Sequence, residues 1–295
     1  MKPITIFTGS TGLNIVADPT RIEPTDLQVA VNVSIDQSGR VQSRRGVTQL
    51  QSGNYHSLFC DGGDCFVVSD NILYQVASDG SLSSIRSGLS DNRISYAQVG
   101  DRTYYTNGFE LGIIYQGQHV DWEKENYAGP ETHRSFSGPI PGHHLSEFFG
   151  RMLITNENAL FWSEPYNFGL YDLAASFVQF HTKIIMVKSM DGGLFLSTEK
   201  NTYFLTGRDP GQWQLRKVAN YPAIEWTCAI DYMSGADIGL EIPGQVAIWA
   251  SREGAIMGLP DGRITNLNKK KIIYPETART GFGGLVGYNF IHGVK

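Results

Sequence analysis

One recurring unit constrains this chain more than any other feature. From about residue 50 onward a short alternating or apolar strand candidate leads into a Gly, Asn or Asp turn and then another strand. His56 to Cys60 runs through Asp61-Gly62-Gly63-Asp64 into Cys65 to Ser69. Leu73 to Ala77 runs through Ser78-Asp79-Gly80-Ser81 into Leu82 to Ile85. Strands separated by such turns read as β-hairpins. Comparable units begin near Tyr55, Arg93, His144, Ile184 and Ile224, a spacing of 38 to 51 residues, each with three or four strand candidates. No segment sustains a helical apolar period between caps, so helices are expected to be rare.

A single four-stranded sheet cannot bury both of its faces. A period near 40 to 45 residues with four strands per unit therefore points to blades stacked around an axis, a β-propeller. Five units fit within residues 55–267. Strand candidates are left over at both ends: Val29 to Ile35 and Val41 to Ser43 near the start, and 281–295 at the finish. Pairing the N-terminal strands with the C-terminal ones would close the ring and remove its exposed edges. The expected fold is all-β, a propeller of about six blades over residues 28–295, with N-terminal strands helping to close it. A polar arm over 1–27, punctuated by Pro3, Pro19 and Pro24, precedes it. The stretch 123–143, with Gly129-Pro130, Pro139, Pro141 and Gly142, breaks the rhythm and reads as a loop insertion. A β-sandwich or a two-domain β-protein is the competing arrangement.

Composition agrees with this reading. The chain carries 33 Gly, 15 Phe and 14 Tyr against 18% charged residues, which suits pleated sheets and tight turns rather than solvated helices. Its net charge is −5, and the basic runs, Arg44-Arg45 and Lys269-Lys270-Lys271, are short. Tight nucleic-acid binding draws most of its affinity from phosphate neutralisation, so DNA is expected to pass such a surface rather than be held by it. No apolar run approaches the ~20 residues needed to span a bilayer. Met1 to Phe7 lacks the apolar stretch of a signal peptide. Three cysteines suit folding in a reducing cytoplasm.

The chemistry-bearing residues form no catalytic, cofactor-binding or metal-binding pattern. Cys60 and Cys65 face each other across a hairpin, and two buried free thiols are the expectation, with a disulfide or half a metal site as alternatives. His143-His144 is the only His pair. Neighbours on a strand point to opposite faces, so the two are not expected to share a metal. A glycosidase would need two carboxylates about 5–10 Å apart. Asp101, Glu164, Asp191, Asp231 and Glu241 could supply them, but acidic residues at turns are ordinarily turn formers. Trp122, Tyr127, Tyr166 and Trp213 could stack on sugars in a receptor-binding propeller, or fill an interface. Trp162 and Trp249 fall in strand candidates, where an indole fills the gap between stacked blades.

Several segments, taken in order, resemble a family of phage virion proteins: the propeller-bearing tail nozzle and tail-plugging proteins of short-tailed phages. The opening runs Gly12-Leu13-Asn14, Asp18-Pro19-Thr20-Arg21-Ile22, Ala30-Val31-Asn32 to Asp36, and Ser38-Gly39-Arg40-Val41 with Arg44-Arg45-Gly46. Then come Val99-Gly100-Asp101-Arg102-Thr103-Tyr104-Tyr105-Thr106-Asn107-Gly108, Gly150-Arg151-Met152-Leu153 with Leu160 to Pro165, Asn201 to Pro210, and Val246 to Gly254 followed by Gly258 and Asp261-Gly262. The resemblance implies a non-enzymatic ring or hub component of a virion tail, assembled in the host cytoplasm. It would be a homo-oligomer that contacts other tail or connector proteins, with no catalytic residues, cofactor or metal. Family members are often longer, with appended domains not seen here.

Overall fold

The computed structural model describes residues 9–36, 38–44, 46, 48–130, 133–234, 243–268, 271–286 and 289–295. Met1 to Phe7, Arg45, Glu241, Lys269 and Lys270 lie outside the described residues. The N-terminal segment holds a parallel pair, β1 (Gly12–Leu13) with β2 (Asp26–Leu27), and then a hairpin of β3 (Val33–Ile35) and β4 (Val41–Ser43). Five antiparallel sheets follow. Blade 1 is β5 (His56–Asp61), β6 (Asp64–Ser69), β7 (Ile72–Val76) and β8 (Leu82–Arg86). Blade 2 is β9 (Ser95–Val99), β10 (Arg102–Thr106), β11 (Leu111–Tyr115) and β12 (Gln118–Val120). Blade 3 is β13 (His144–Phe148), β14 (Arg151–Asn156), β15 (Ala159–Glu164) and β16 (Asn167–Tyr171), with β17 (Phe177–Gln179) also paired to β15.

Blade 4 is β18 (Ile184–Met190), β19 (Gly193–Thr198), β20 (Thr202–Thr206) and β21 (Gln214–Ala219). Blade 5 is β22 (Ala229–Met233), β23 (Gly244–Ser251), β24 (Gly254–Gly258) and β25 (Ile264–Asn266). The hairpin of β26 (Gly281–Val286) and β27 (Asn289–Val294) ends the chain. Among the described residues the only helical element is the 3-10 turn Pro210–Gln212.

The strands are wedges because each of their faces is apolar. On β10, Tyr105 packs with Phe66, Leu73 and Tyr96 between blades 1 and 2, while its neighbour Tyr104 packs with Leu145, Met152 and Tyr171 between blades 2 and 3. On β14, Met152 and Ile154 face blade 2, and Leu153 faces Leu194 and Leu196 of blade 4. This is the two-residue alternation of a strand buried on both sides. Trp249 is fully buried against Phe195 and Phe204 between blades 4 and 5. Its buried indole Nε1 has no hydrogen-bond partner among the described residues. Trp162 meets Trp213 edge-on across the junction of blades 3 and 4, ring centroids 4.7 Å apart.

Hydroxyls tie the innermost strands together. Ile94 N–H donates to Ser57 Oγ (2.9 Å), Leu145 N–H to Ser95 Oγ (2.9 Å) and Ser189 N–H to Ser146 Oγ (3.0 Å). Each first strand is an edge of its sheet with unpaired amides pointing toward its neighbour. A serine from the preceding blade satisfies one of them. Thr106 and Ser197 extend the pattern to the connectors, through Gly142 and Ala223.

The fold is thus an all-β propeller with five blades, not about six; four are four-stranded and blade 3 carries β17 as a fifth strand. The anticipated closing blade does not form as a shared sheet: β3 pairs with β4, and β26 with β27. The C-terminal hairpin lies beside blade 5, where Phe290 packs on Val246, Ile248 and Met257. The segment 9–27 is held by Lys271, whose carbonyl accepts Ile15 N–H and whose Nζ lies 2.5 Å from Asp26. Asp26 also accepts from Asn14 and Thr11, and together these hold its carboxyl down at about 2. The described residues of the stretch, 123–130 and 133–143, are tied to blade 3. Trp122 Nε1 donates to the Phe168 carbonyl, Ser137 bridges Tyr171, and Arg134 pairs with Glu164 and Asp172.

Candidate functional site

The connectors that feed the innermost strands converge at one end of the axis around a cavity of about 430 Å³. Arg93 enters from the link between blades 1 and 2, and His143 from the link between blades 2 and 3. Lys183 comes from the next link, and Glu225 and Trp226 from the link into blade 5. Asn107, Phe109, Asn156 and Glu157 reach it from the turns after the second strands of blades 2 and 3. Gly142 makes this convergence possible, since a side-chain carbon there would sit 2.4 Å from the Thr155 carbonyl.

Groups from non-adjacent connectors meet across the mouth. His144 Nε2 stands 3.4 Å from Glu225 Oε1 without an aligned hydrogen bond, and its ring lies 4.6 Å from that of Trp226. Arg93 Nη1 donates to the Gly281 carbonyl, so the C-terminal hairpin is tied to the same place. His143 Nε2 lies 2.8 Å from the Ile184 carbonyl. Burial, with the neighbouring His144 adding to it, lowers the His143 imidazole to about 4. Burial likewise depresses His144, against the pull of Glu225. For Glu225 burial is the largest influence and acts upward, but His144 and the charges of Lys183 and His143 together hold it below the ordinary carboxylate range. At neutral pH the mouth therefore holds two neutral imidazoles beside the acidic side chains of Asp91, Glu157 and Glu225 and the basic ones of Arg93 and Lys183. Trp226 is held at φ 67°, in the left-handed region that a bulky residue rarely adopts.

A second concavity, about 310 Å³, is lined by Glu147, Phe148, Phe149, Ser189, Met190, Asp191 and Gln245, near the turns that leave the innermost strands of blades 3 and 4. Phe149 (φ 46°) and Tyr166 (φ 57°) are both left-handed beside it, and Tyr166 is 84% exposed.

The structure scatters most of the other singled-out residues. Asp101 and Asp191 sit in hairpin turns, Glu164 is engaged by Arg134, and Asp231 lies on β22. Among the described residues no group of three or more His, Cys, Asp or Glu could hold a metal ion. Trp122 is buried and Trp213 is packed between blades, whereas Tyr127 stacks on Phe136 and only Tyr166 stands fully out. Cys60 and Cys65 correct the expectation of buried free thiols: they form a disulfide on a hairpin where Cys60 is exposed. Register explains it, because the two are directly paired residues on β5 and β6 with Cα atoms 4.1 Å apart. Gly62 and Gly63, both at positive φ, turn the chain tightly between them. Cys228 is free, and burial pushes its thiol up to about 12. No helix among the described residues is long and apolar enough to cross a membrane. Of the residues at the mouth, the sequence singled out His143 and His144 as a pair, but assigned them no site. Arg93, Lys183, Glu225 and Trp226 carried no local signal and become neighbours only through the ring.

A β-propeller with a polar axial mouth is the class that fold and site define. No protein-family model and no curated protein sequence matches the chain. Among solved structures it is similar to BBS1N, as seen in complex with ARL6DN, at 9% identity and TM-score 0.50, covering 89% of this chain and 83% of that one. It is also similar to virginiamycin B lyase from Staphylococcus aureus, at 11% identity and TM-score 0.48, covering 89% and 84%. A third similarity is to the extracellular domain of BT4673 from B. thetaiotaomicron, at 12% identity and TM-score 0.45, covering 74% of this chain. The chain spans only 27% of the length of that domain. At these identities the likeness is one of fold.

Proposed function

We propose that this propeller is a non-enzymatic structural subunit of a phage tail. In this reading copies of the chain form a ring with other tail or connector proteins around a passage for DNA. The observation that carries it is the placement of apolar side chains left outside the cores. Ile15, Val16, Val29, Val31 and Leu50 in the N-terminal segment, and Phe282 and Ile291 in the C-terminal hairpin, are all exposed. Exposed aliphatic residues are most frequent toward the two chain ends, with Leu58, Val120 and Leu215 standing singly on the blades, and such a concentration suits burial against a neighbour. The ordered tail-protein motifs support the same reading, as does their position on blade strands: Arg102 to Thr106 is β10, Arg151 to Asn156 is β14 and Thr202 to Thr206 is β20.

DNA passage belongs in this scheme to the lumen between subunits. Within one chain the mouth is lined by Glu225 and Trp226, with His144 against both. With a net charge of −5 and only short basic runs, the surface would displace few of the counterions condensed on DNA, so duplex would slide without being held. Mass measurement in solution and protein gels of purified virions test the proposal together. An oligomer that becomes monomeric on deletion of residues 1–46, and a band in the virion, are the expected results. A monomer absent from virions would refute it.

A further inference from the structure

The axial mouth has a charge arrangement that a scaffold does not need. Arg93 and Lys183 line it, both only partly exposed, in a chain that is acidic overall. Neither has a carboxylate within salt-bridge distance among the described residues. Glu225 is near enough for its charge to act on Arg93, and for the Lys183 charge to act on it, while the His144 imidazole 3.4 Å away is neutral at neutral pH. Two half-buried cations thus lie near Glu225 without an ion pair to it. Asp91, Asn92, Asn156 and Glu157, all exposed, surround them. Two aromatic residues complete the lining: Phe109, 67% exposed, and Trp226 in its left-handed conformation. A backbone outlier of that kind persists only where its surroundings over-determine it.

We propose that this mouth binds a carboxylated pyranose, that is, a sugar acid. Arg93 and Lys183 receive its single carboxylate through charge-assisted hydrogen bonds. The apolar face of the sugar ring lies on Phe109 or Trp226. Asn92, Asn156, Asp91 and Glu157 take the hydroxyls, where amides and carboxylates accept O–H donors. A cavity of about 430 Å³ falls in the range that encloses small ligands. The acidic residues around the cations count against a polyphosphate or nucleic acid, whose several charges they would repel, and suit a ligand with one charge and many hydroxyls. The inference does not rest on the tail role, because a ring subunit could lack the site and a free propeller could have it.

Titration calorimetry on the full chain tests it, with D-glucuronic acid and N-acetylneuraminic acid as probes. D-glucose and N-acetylglucosamine are the neutral controls, and acetyl-aspartate amide is the carboxylate without a sugar. At least one acidic sugar should bind, with each control about tenfold weaker or worse, the worth of one charge-assisted bond. Lys183→Met should weaken that binding about tenfold while leaving the thermal midpoint unchanged. Lys183 is the residue to vary, since Arg93 also holds Gly281. Absence of binding by both acidic sugars up to about 10 mM would overturn the proposal. So would equal affinity for a neutral sugar or for acetyl-aspartate amide, or a Lys183→Met variant that binds like the parent.

Discussion

Acidification should unlock the axial mouth through His143. In the folded chain burial and the neighbouring His144 lower this imidazole to about 4 from its ordinary 6.5. Lys183 acts in the same direction, while Glu225 and the Ile184 carbonyl oppose it. Between those two values the unfolded chain binds more protons than the folded one, so stability rises with pH across the window. The contribution is intact above the unfolded value and is lost as pH falls from about 6.5 to about 4. A shift of that size corresponds to about 3 kcal/mol. With an unfolding entropy near 2.1 cal/mol/K per residue, a chain of this length moves by roughly 5 °C for that loss.

Wild type and His143→Gln should be melted in parallel at pH 7, 6, 5 and 4. Glutamine keeps a donor for the Ile184 carbonyl but cannot titrate. The variant should be the less stable protein at pH 7 and should gain about 5 °C on wild type by pH 4. Melting curves that stay a constant distance apart over the whole range would refute the reasoning, as would an imidazole resonance for His143 titrating near its ordinary value.

Other perturbations act on the scaffold. Trp249→Ala should destabilise by about 3–5 kcal/mol, because a large ring packed on Phe195 leaves a cavity between blades 4 and 5. Denaturant melts check this, and a loss below about 1 kcal/mol would argue that the blades are not packed as described. Ser95→Ala should cost about 1–3 kcal/mol by leaving the Leu145 amide buried without an acceptor. Hydrogen exchange at Leu145 should accelerate, and an unchanged rate would count against the serine tie. Reduction of Cys60–Cys65 should cost about 2 kcal/mol on the chain-entropy argument for so short a loop. The melting point with and without reductant measures it, and Cys60→Ser must remove the difference.

The blade rhythm was legible because it is local. Units beginning near Tyr55, Arg93, His144, Ile184 and Ile224 match first strands that start at His56, Ser95, His144, Ile184 and Ala229. The number of blades was not legible, because it turns on whether β3–β4 and β26–β27 join, and neither hairpin carries a mark naming its partner strand. The disulfide was readable only in part: the facing of Cys60 and Cys65 follows from the hairpin, whereas exposure of Cys60 depends on where blade 1 ends. Trp122 shows the converse, an aromatic that looked available until the stretch after it folded back along blade 3. The axial mouth lay furthest out of reach. Arg93, Lys183 and Glu225 are tens of residues apart, and each reads singly as an ordinary charged loop residue.

The serine ties also set an order of events. Each takes its acceptor from one blade and its amide from the next, so a wedge emerging from the ribosome holds a hydroxyl whose mate has not yet been synthesised. Maturation of blades 1 to 3 therefore waits on the blade that follows each. A chain halted after blade 3 would leave Ser146 open to water, and the whole ring would settle only once translation has run through to blade 4 and beyond.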